Sequence, residues 1–209
     1  MARSESPAAA EPSTLVGRAR ARPLRADAQR NRDRVLVAAR AAFAAEGSDA
    51  SLDEIAREAG VGAGTVYRHF ATKEALFEAV VLDRMAELAR QGHERLDASE
   101  PGPAFLSFVA LLAREAAQKR DIVETFSSDG LRLTIGSAPV FLALVESLDE
   151  LLQRAQEAGA VRMDVGVDDV MALLTGSAFA MCHAAADDEQ ADRILAVLCD
   201  GLRADPGGR

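Results

Sequence analysis

Apolar residues return every three or four positions along most of the chain, and nowhere do they alternate in the two-residue rhythm of a half-buried strand. Val35, Ala39, Ala42 and Phe43 form one stripe, which predicts a helix from Ala26 that ends before Gly47. Leu52, Ile55, Ala56 and Ala59 predict a short second helix. It opens at Ser51-Leu52-Asp53-Glu54, the pattern of a capping box, and stops at Gly60, which takes a positive φ cheaply. A third short helix, Ala63 to about Phe70, turns Val66 and Phe70 to one side. Thr72 then caps a long helix from Lys73 to about Leu96, with Leu76, Phe77, Val80 and Val81 on its apolar face.

Pro101-Gly102-Pro103 reads as a break. Beyond it Phe105, Phe108, Val109, Leu111 and Leu112 predict one helix, and Ile122, Val123 and Phe126 a short one; residues 127–138 read mostly as loop. Val140, Leu144, Leu148, Leu151, Leu152 and Ala155 mark a helix ending at Gly159. Residues 167–185 are apolar on nearly all sides, and 187–203 carry a stripe at Ala191, Ile194, Leu195, Leu198 and Leu202. The fold class expected is all-α, with about nine helices.

Composition narrows the function. The 209 residues are 49 % apolar and 27 % charged, enough chain to bury a core. No apolar run reaches the roughly 18 residues that cross a bilayer, and the N-terminus lacks the apolar stretch of an export signal. A cytoplasmic protein without membrane partners is expected. The net charge of −9 is unevenly spread: residues 1–40 hold nine arginines against four acids, whereas everything after residue 40 is acidic in balance. Such asymmetry suggests a polyanion-facing N-terminus on an acidic body, with a solvated tail as the plainer alternative. Cys182 and Cys199 lie in apolar helical patterns without CxxC spacing. They read as reduced core residues, though the sequence leaves a disulfide between them open. HExxH, ExxH and GxSxG patterns are absent, and Gly60-Val61-Gly62-Ala63-Gly64 follows a helix and lacks a Walker lysine. No enzyme, metal or cofactor is expected.

The strongest signal is Ser51 to Lys73. Two short helices around a tight glycine-containing turn make a helix-turn-helix, whose second helix enters the DNA major groove. The outward residues of that helix are Gly62, Ala63, Gly64, Thr65, Tyr67, Arg68 and His69: small ones that permit close approach, then donors for phosphates or base edges. Periodicity alone also allows Tyr67, the only tyrosine, to be partly buried against the first helix. Leu52-x-x-Ile55-Ala56, Ala59-Gly60-Val61, Thr65-Val66-Tyr67-x-His69-Phe70 and Lys73-Glu74-x-Leu76, following a helix that ends in Ala41-Ala42-Phe43, resemble the TetR family of bacterial transcriptional regulators. The likeness covers roughly residues 28–80; the remainder resembles the family in architecture alone.

That resemblance implies a homodimer on a palindromic double-stranded operator, most often a repressor released by a small-molecule effector. It implies phosphate or sugar contacts by Thr65, Tyr67, His69 and Lys73, with Ser51 and the amides at the start of the Lys73 helix also facing phosphate. Base reading would fall to Ala63, Gly64 and Arg68, the last by its fork on guanine. The domains expected are a disordered arginine-rich arm over 1–25, a helix-turn-helix domain over 26–78 and an effector-binding and dimerisation domain over 79–209. Arg22 and Arg25, with Arg18 and Arg20, sit where an arm could reach DNA.

In the third domain, the all-round apolar character of 167–185 needs a second surface to cover it. A four-helix interface from two copies of 167–185 and 189–203 supplies one. A cavity is expected among Met85, Phe105, Phe108, Leu112, Phe126, Phe141, Met171 and Leu174, suited to an apolar or aromatic effector with few charges. The alternative is an all-α small-molecule-binding or catalytic protein without DNA activity. It leaves the exposed Thr65, Tyr67, Arg68, His69 and Lys73 without a purpose.

Overall fold

The computed structural model describes the backbone of residues 16–126, 135–183 and 187–205, and the side chains of 27–117, 135–183 and 187–205. In chain order the elements are α1 (Val16–Glu46), a 3-10 turn, α2 (Leu52–Glu58), α3 (Ala63–His69), α4 (Lys73–Glu94), a second 3-10 turn, α5 (Pro101–Phe126), a helical turn at 135–137, α6 (Pro139–Glu157), α7 (Val167–His183) and α8 (Asp188–Leu202). Among the described residues the only extended pairing is one antiparallel bridge, Val161 with Arg203, which ties the end of α8 to the α6–α7 loop.

Two cores form, and α4 belongs to both. The first packs Val35, Leu36, Ala39 and Phe43 of α1 against Ile55, Val66 and Phe70, and against Leu76, Phe77, Val80 and Val81 of α4. Phe43 and Phe77 meet edge to face, ring centres 5.5 Å apart. The second takes Leu88 from the far half of α4. It adds Phe105, Phe108, Val109 and Leu112 of α5, Leu148, Leu151 and Leu152 of α6, and residues of α7 and α8. The joint between the two units is therefore a continuous helix rather than a linker.

Gly92 of α4 is buried where α4 packs against α5 and α6. A Cβ there would lie 2.6 Å from Ser147 Oγ and 2.9 Å from Phe108 Cζ. Gly92→Ala is expected to lower stability by about 1–3 kcal/mol, the range for overpacking a filled core, because the ring of Phe108 has no room to retreat. Thermal unfolding of the variant checks this; an unchanged midpoint would show the crossing to be loose.

Three expectations need correction. Helix α1 starts at Val16, so residues 16–25, assigned to a disordered arm, are helical; their alanine, arginine and leucine content favours helix in spite of Pro23. Residues 1–15 lie outside the described residues. Pro101-Gly102-Pro103 is not a break but the first turn of α5: an amide missing at the first helical position is one that would have had no partner. Ile122, Val123 and Phe126 continue α5 instead of forming a separate helix. The loop expected over 127–138 lies mostly outside the described residues, as do positions 184–186.

Candidate nucleic-acid interface and ligand cavity

Helix α2 ends in a reversal that sets the angle of α3. Gly60 takes φ +63°, its amide donates to Arg57 O at 3.1 Å, and the Val61 amide donates to Ala56 O at 3.0 Å. Val66 is fully buried and Phe70 nearly so, which fixes the inner face of α3. Its other face is open. Ala63, Gly64, Tyr67, Arg68 and His69 are exposed, Gly62 likewise just before the helix, and Thr65 is half-buried. Tyr67 is 51 % exposed, so it is not packed away against α2. A Cβ on Gly62 or Gly64 would meet nothing within 4 Å; the start of α3 is bare.

The polar groups around this face are not all free in the way the pattern suggests. Arg68 lies back along its own helix, Nε donating to Gly64 O at 3.0 Å and Nη2 to Thr65 Oγ1 at 3.2 Å. These bonds are exposed and cheap to exchange for a base edge. Lys73 Nζ donates to Ser48 O at 2.7 Å, bracing the start of α4 against the turn after α1. Ser51 holds the N-cap position of α2 with extended backbone, but its hydroxyl accepts no capping bond, so the capping box is not formed. Thr72 does cap α4, its Oγ1 accepting from the Ala75 amide at 3.2 Å. Glu74's own backbone amide, then the Thr72 hydroxyl, hold its carboxyl below its ordinary range. The α4 start thus offers fewer free amides to phosphate than expected.

The sequence pattern alone does not single out Arg34. The Arg34 guanidinium lies 3.6 Å from where a Cβ on Gly60 would be, which brings α1 charge to the helix-turn-helix reversal. The signal was present in the arginine run of residues 18–40, but only the fold shows which turn faces the reversal. Arg22 and Arg25 lie on α1, their side chains outside the described residues.

The second feature is a cavity of about 300 Å³, lined by four helices and partly open to solvent. Val81, Arg84, Met85 and Leu88 come from α4; Leu112, Glu115 and Ala116 from α5; Phe141 and Leu144 from α6; and Met171, Leu174, Thr175 and Ala178 from α7. Five expected residues meet here: Met85, Leu112, Phe141, Met171 and Leu174. Phe105 and Phe108 do not. Both are wholly buried in the core, and Arg95 stacks over the Phe108 ring at 5.3 Å. They share a stripe with Leu112, but the space opens only at its C-terminal end, from Leu112 onward. Phe126 falls outside the described side chains.

The polar part of the cavity wall was not anticipated. Arg84 Nε donates to Glu115 Oε2 at 3.0 Å while Nη2 bonds the other carboxylate oxygen, a two-point pair with both side chains below 20 % exposure. The bond to Glu115 raises the Arg84 pKa above its ordinary value. One residue back along α4, Asp83 Oδ2 accepts from Arg40 Nη2 of α1 at 2.9 Å. Adjacent residues of α4 therefore reach the cavity and the N-terminal unit.

Helices α7 and α8 leave an apolar face uncovered. Leu173, Phe179 and Val197 are 44 %, 45 % and 73 % exposed, and Phe179 stacks on His183 with ring centres 3.8 Å apart. Among the described residues no group of three or more potential metal ligands occurs, and no helix is long and apolar enough to cross a membrane.

Comparison with known proteins agrees with this geometry. A family model described as bacterial regulatory proteins, tetR family, matches residues 35–80, and one described as transcriptional regulator SbtR-like, C-terminal domain, matches residues 100–204. The HTH-type transcriptional regulator UidR of Escherichia coli K12 is 27 % identical over 190 residues, 88 % of this chain and 95 % of that protein. A TetR transcription regulatory protein from Mycobacterium vanbaalenii is 43 % identical with a TM-score of 0.69, covering 87 % of this chain and all of the other. A TetR regulator from Streptomyces coelicolor is 34 % identical with a TM-score of 0.65, over 83 % of this chain and 98 % of that one.

Proposed function

The chain belongs to the TetR family of bacterial transcriptional regulators, and from that premise we propose a homodimeric cytoplasmic repressor that releases a palindromic operator when a small, largely apolar effector enters the four-helix cavity. It is a DNA-binding regulator, not an enzyme. The observation that carries the proposal is the double membership of α4. The same helix begins beside the recognition helix, contributes to the N-terminal core, and supplies four residues to the cavity wall. A ligand that prefers one placement of α4 over another must shift DNA affinity by that same difference.

On DNA, α3 would lie in the major groove with Ala63 and Gly64 close to the bases and Thr65, Tyr67 and His69 toward the backbone. Arg68 would swing from its own helix to a guanine, and Lys73 would use the donors that Ser48 leaves free. Base readout from so bare a helix start is thin, which gives DNA shape and the α1 extension a larger share. Arg22 and Arg25 would act from that extension.

Selection of bound duplexes from a randomised pool tests the reading. A palindromic site is expected, bound at least 100-fold better than scrambled duplex. Deleting residues 1–24 should weaken binding and flatten its dependence on salt, since each lost phosphate contact removes counterion release. Recovery of no preferred sequence from protein freed of bound small molecules would overturn the operator reading. An unchanged salt slope would remove the extension from it.

A further inference from the structure

We propose that Arg32 and Arg34 of α1 are phosphate anchors flanking the recognition helix, and that their neighbour Arg30 is not. The inference rests on α3 being the helix that enters the groove. Residues 41–80, which include all of α2 and α3, carry three basic against seven acidic side chains. Arg57, one of the three, already lies 3.9 Å from Glu54. A segment of that balance does not hold a polyanion by its own charge, so the cations that release counterions from DNA have to come from beside it. Helix α1 is packed against it and is rich in arginine.

The arginines of α1 whose side chains are described fall into two kinds. Arg30 bonds Asp27 and Arg40 bonds Asp83, so each already meets a carboxylate. Among the described residues Arg32 and Arg34 pair with none. What holds them is uncharged. Arg32 sits over the ring of Phe70, its Cζ 5.7 Å from the ring centre. Arg34 Nη2 donates to the side-chain oxygen of Asn31 at 2.6 Å. Asp33, between the two in the chain, accepts from Gln29 at 2.7 Å instead. A ring face or an amide oxygen orients a guanidinium and leaves its charge in place. Position completes the case. Phe70 is the residue that ends α3, and Gly60, beside Arg34 Nη1, begins the turn that leads into it. Two oriented charges thus stand at opposite ends of the recognition helix, each with the planar fork that suits a phosphate.

Fluorescence anisotropy tests the assignment, using full-length protein freed of small molecules and two labelled duplexes of equal length, the selected palindrome and its scramble, between about 50 and 200 mM salt. Arg32→Gln and Arg34→Gln are each expected to flatten the plot of log affinity against log salt by about 1, and together by about 2. The weakening should be alike on both duplexes, because a phosphate carries no sequence. Arg32→Lys keeps the charge and should keep the parent slope, as should Arg30→Gln. Arg32→Met retains hydrocarbon over Phe70 and replaces Arg32→Gln if that variant does not fold. A parent slope retained after either charge is removed would overturn the assignment, and so would an Arg30→Gln slope that falls as far. A parent protein that binds neither duplex at the lowest salt would overturn the placement of α3 on DNA instead.

Discussion

Gly64→Glu is expected to abolish operator binding without harming the fold. The position is exposed on α3, and a Cβ there meets no atom within 4 Å, so the longer side chain has space. Glutamate is also the better helix former by several tenths of a kcal/mol, which biases any stability change upward. On DNA the same substitution puts bulk and negative charge where close approach to a polyanion is required. A loss of at least 100-fold in affinity, about 2.7 kcal/mol, should appear in fluorescence anisotropy with the selected duplex, alongside an unchanged or higher melting temperature. Affinity within threefold of the parent would mean that the start of α3 does not face the groove. Gly64→Ala is the companion measurement: it adds a methyl group without charge, and its smaller effect would separate crowding from repulsion.

What the pattern of residues could and could not reveal follows from the range of the interactions involved. The stripe of Val35, Ala39 and Phe43, the Thr72 cap and the Gly60 reversal are local, encoded within one or two turns, and all are present in the structure. Pro101 misled because the same residue ends one helix and begins another, and only its neighbours in space decide which. Ser51 has the right sequence for a capping box, yet a rotamer settles whether the bond forms, and its hydroxyl makes none. The cavity is half legible: Met85, Leu112, Phe141, Met171 and Leu174 line it, while Phe105 and Phe108 lie a turn or more too early on the stripe. The Arg84–Glu115 pair was hidden because its members are 31 positions apart on different helices. One hint existed: Glu115 stands three residues after Leu112, a charged residue next to the apolar stripe. A charge at such a position asks for a partner that periodicity cannot name.

The proposed pairing of two copies through α7 and α8 has the second large expected effect. Val197 is 73 % exposed in the single chain, so Val197→Asp leaves the fold of one subunit undisturbed. In an isologous interface every substitution occurs twice around the two-fold axis, so a pair of α7–α8 faces would have to bury two carboxylates with no cation supplied to either. Light scattering after size exclusion should show a dimer for the parent and a monomer for Val197→Asp, with matching helical circular dichroism. Operator affinity should fall by 100-fold or more, because the second half-site is then bound as a separate event and not at the high effective concentration that the linked head enjoys. Val197→Leu, which keeps the surface apolar, should retain both the dimer and the affinity. A Val197→Asp protein that remains dimeric would move the interface away from this face. The exposed Leu173 and Phe179 would then require a different cover.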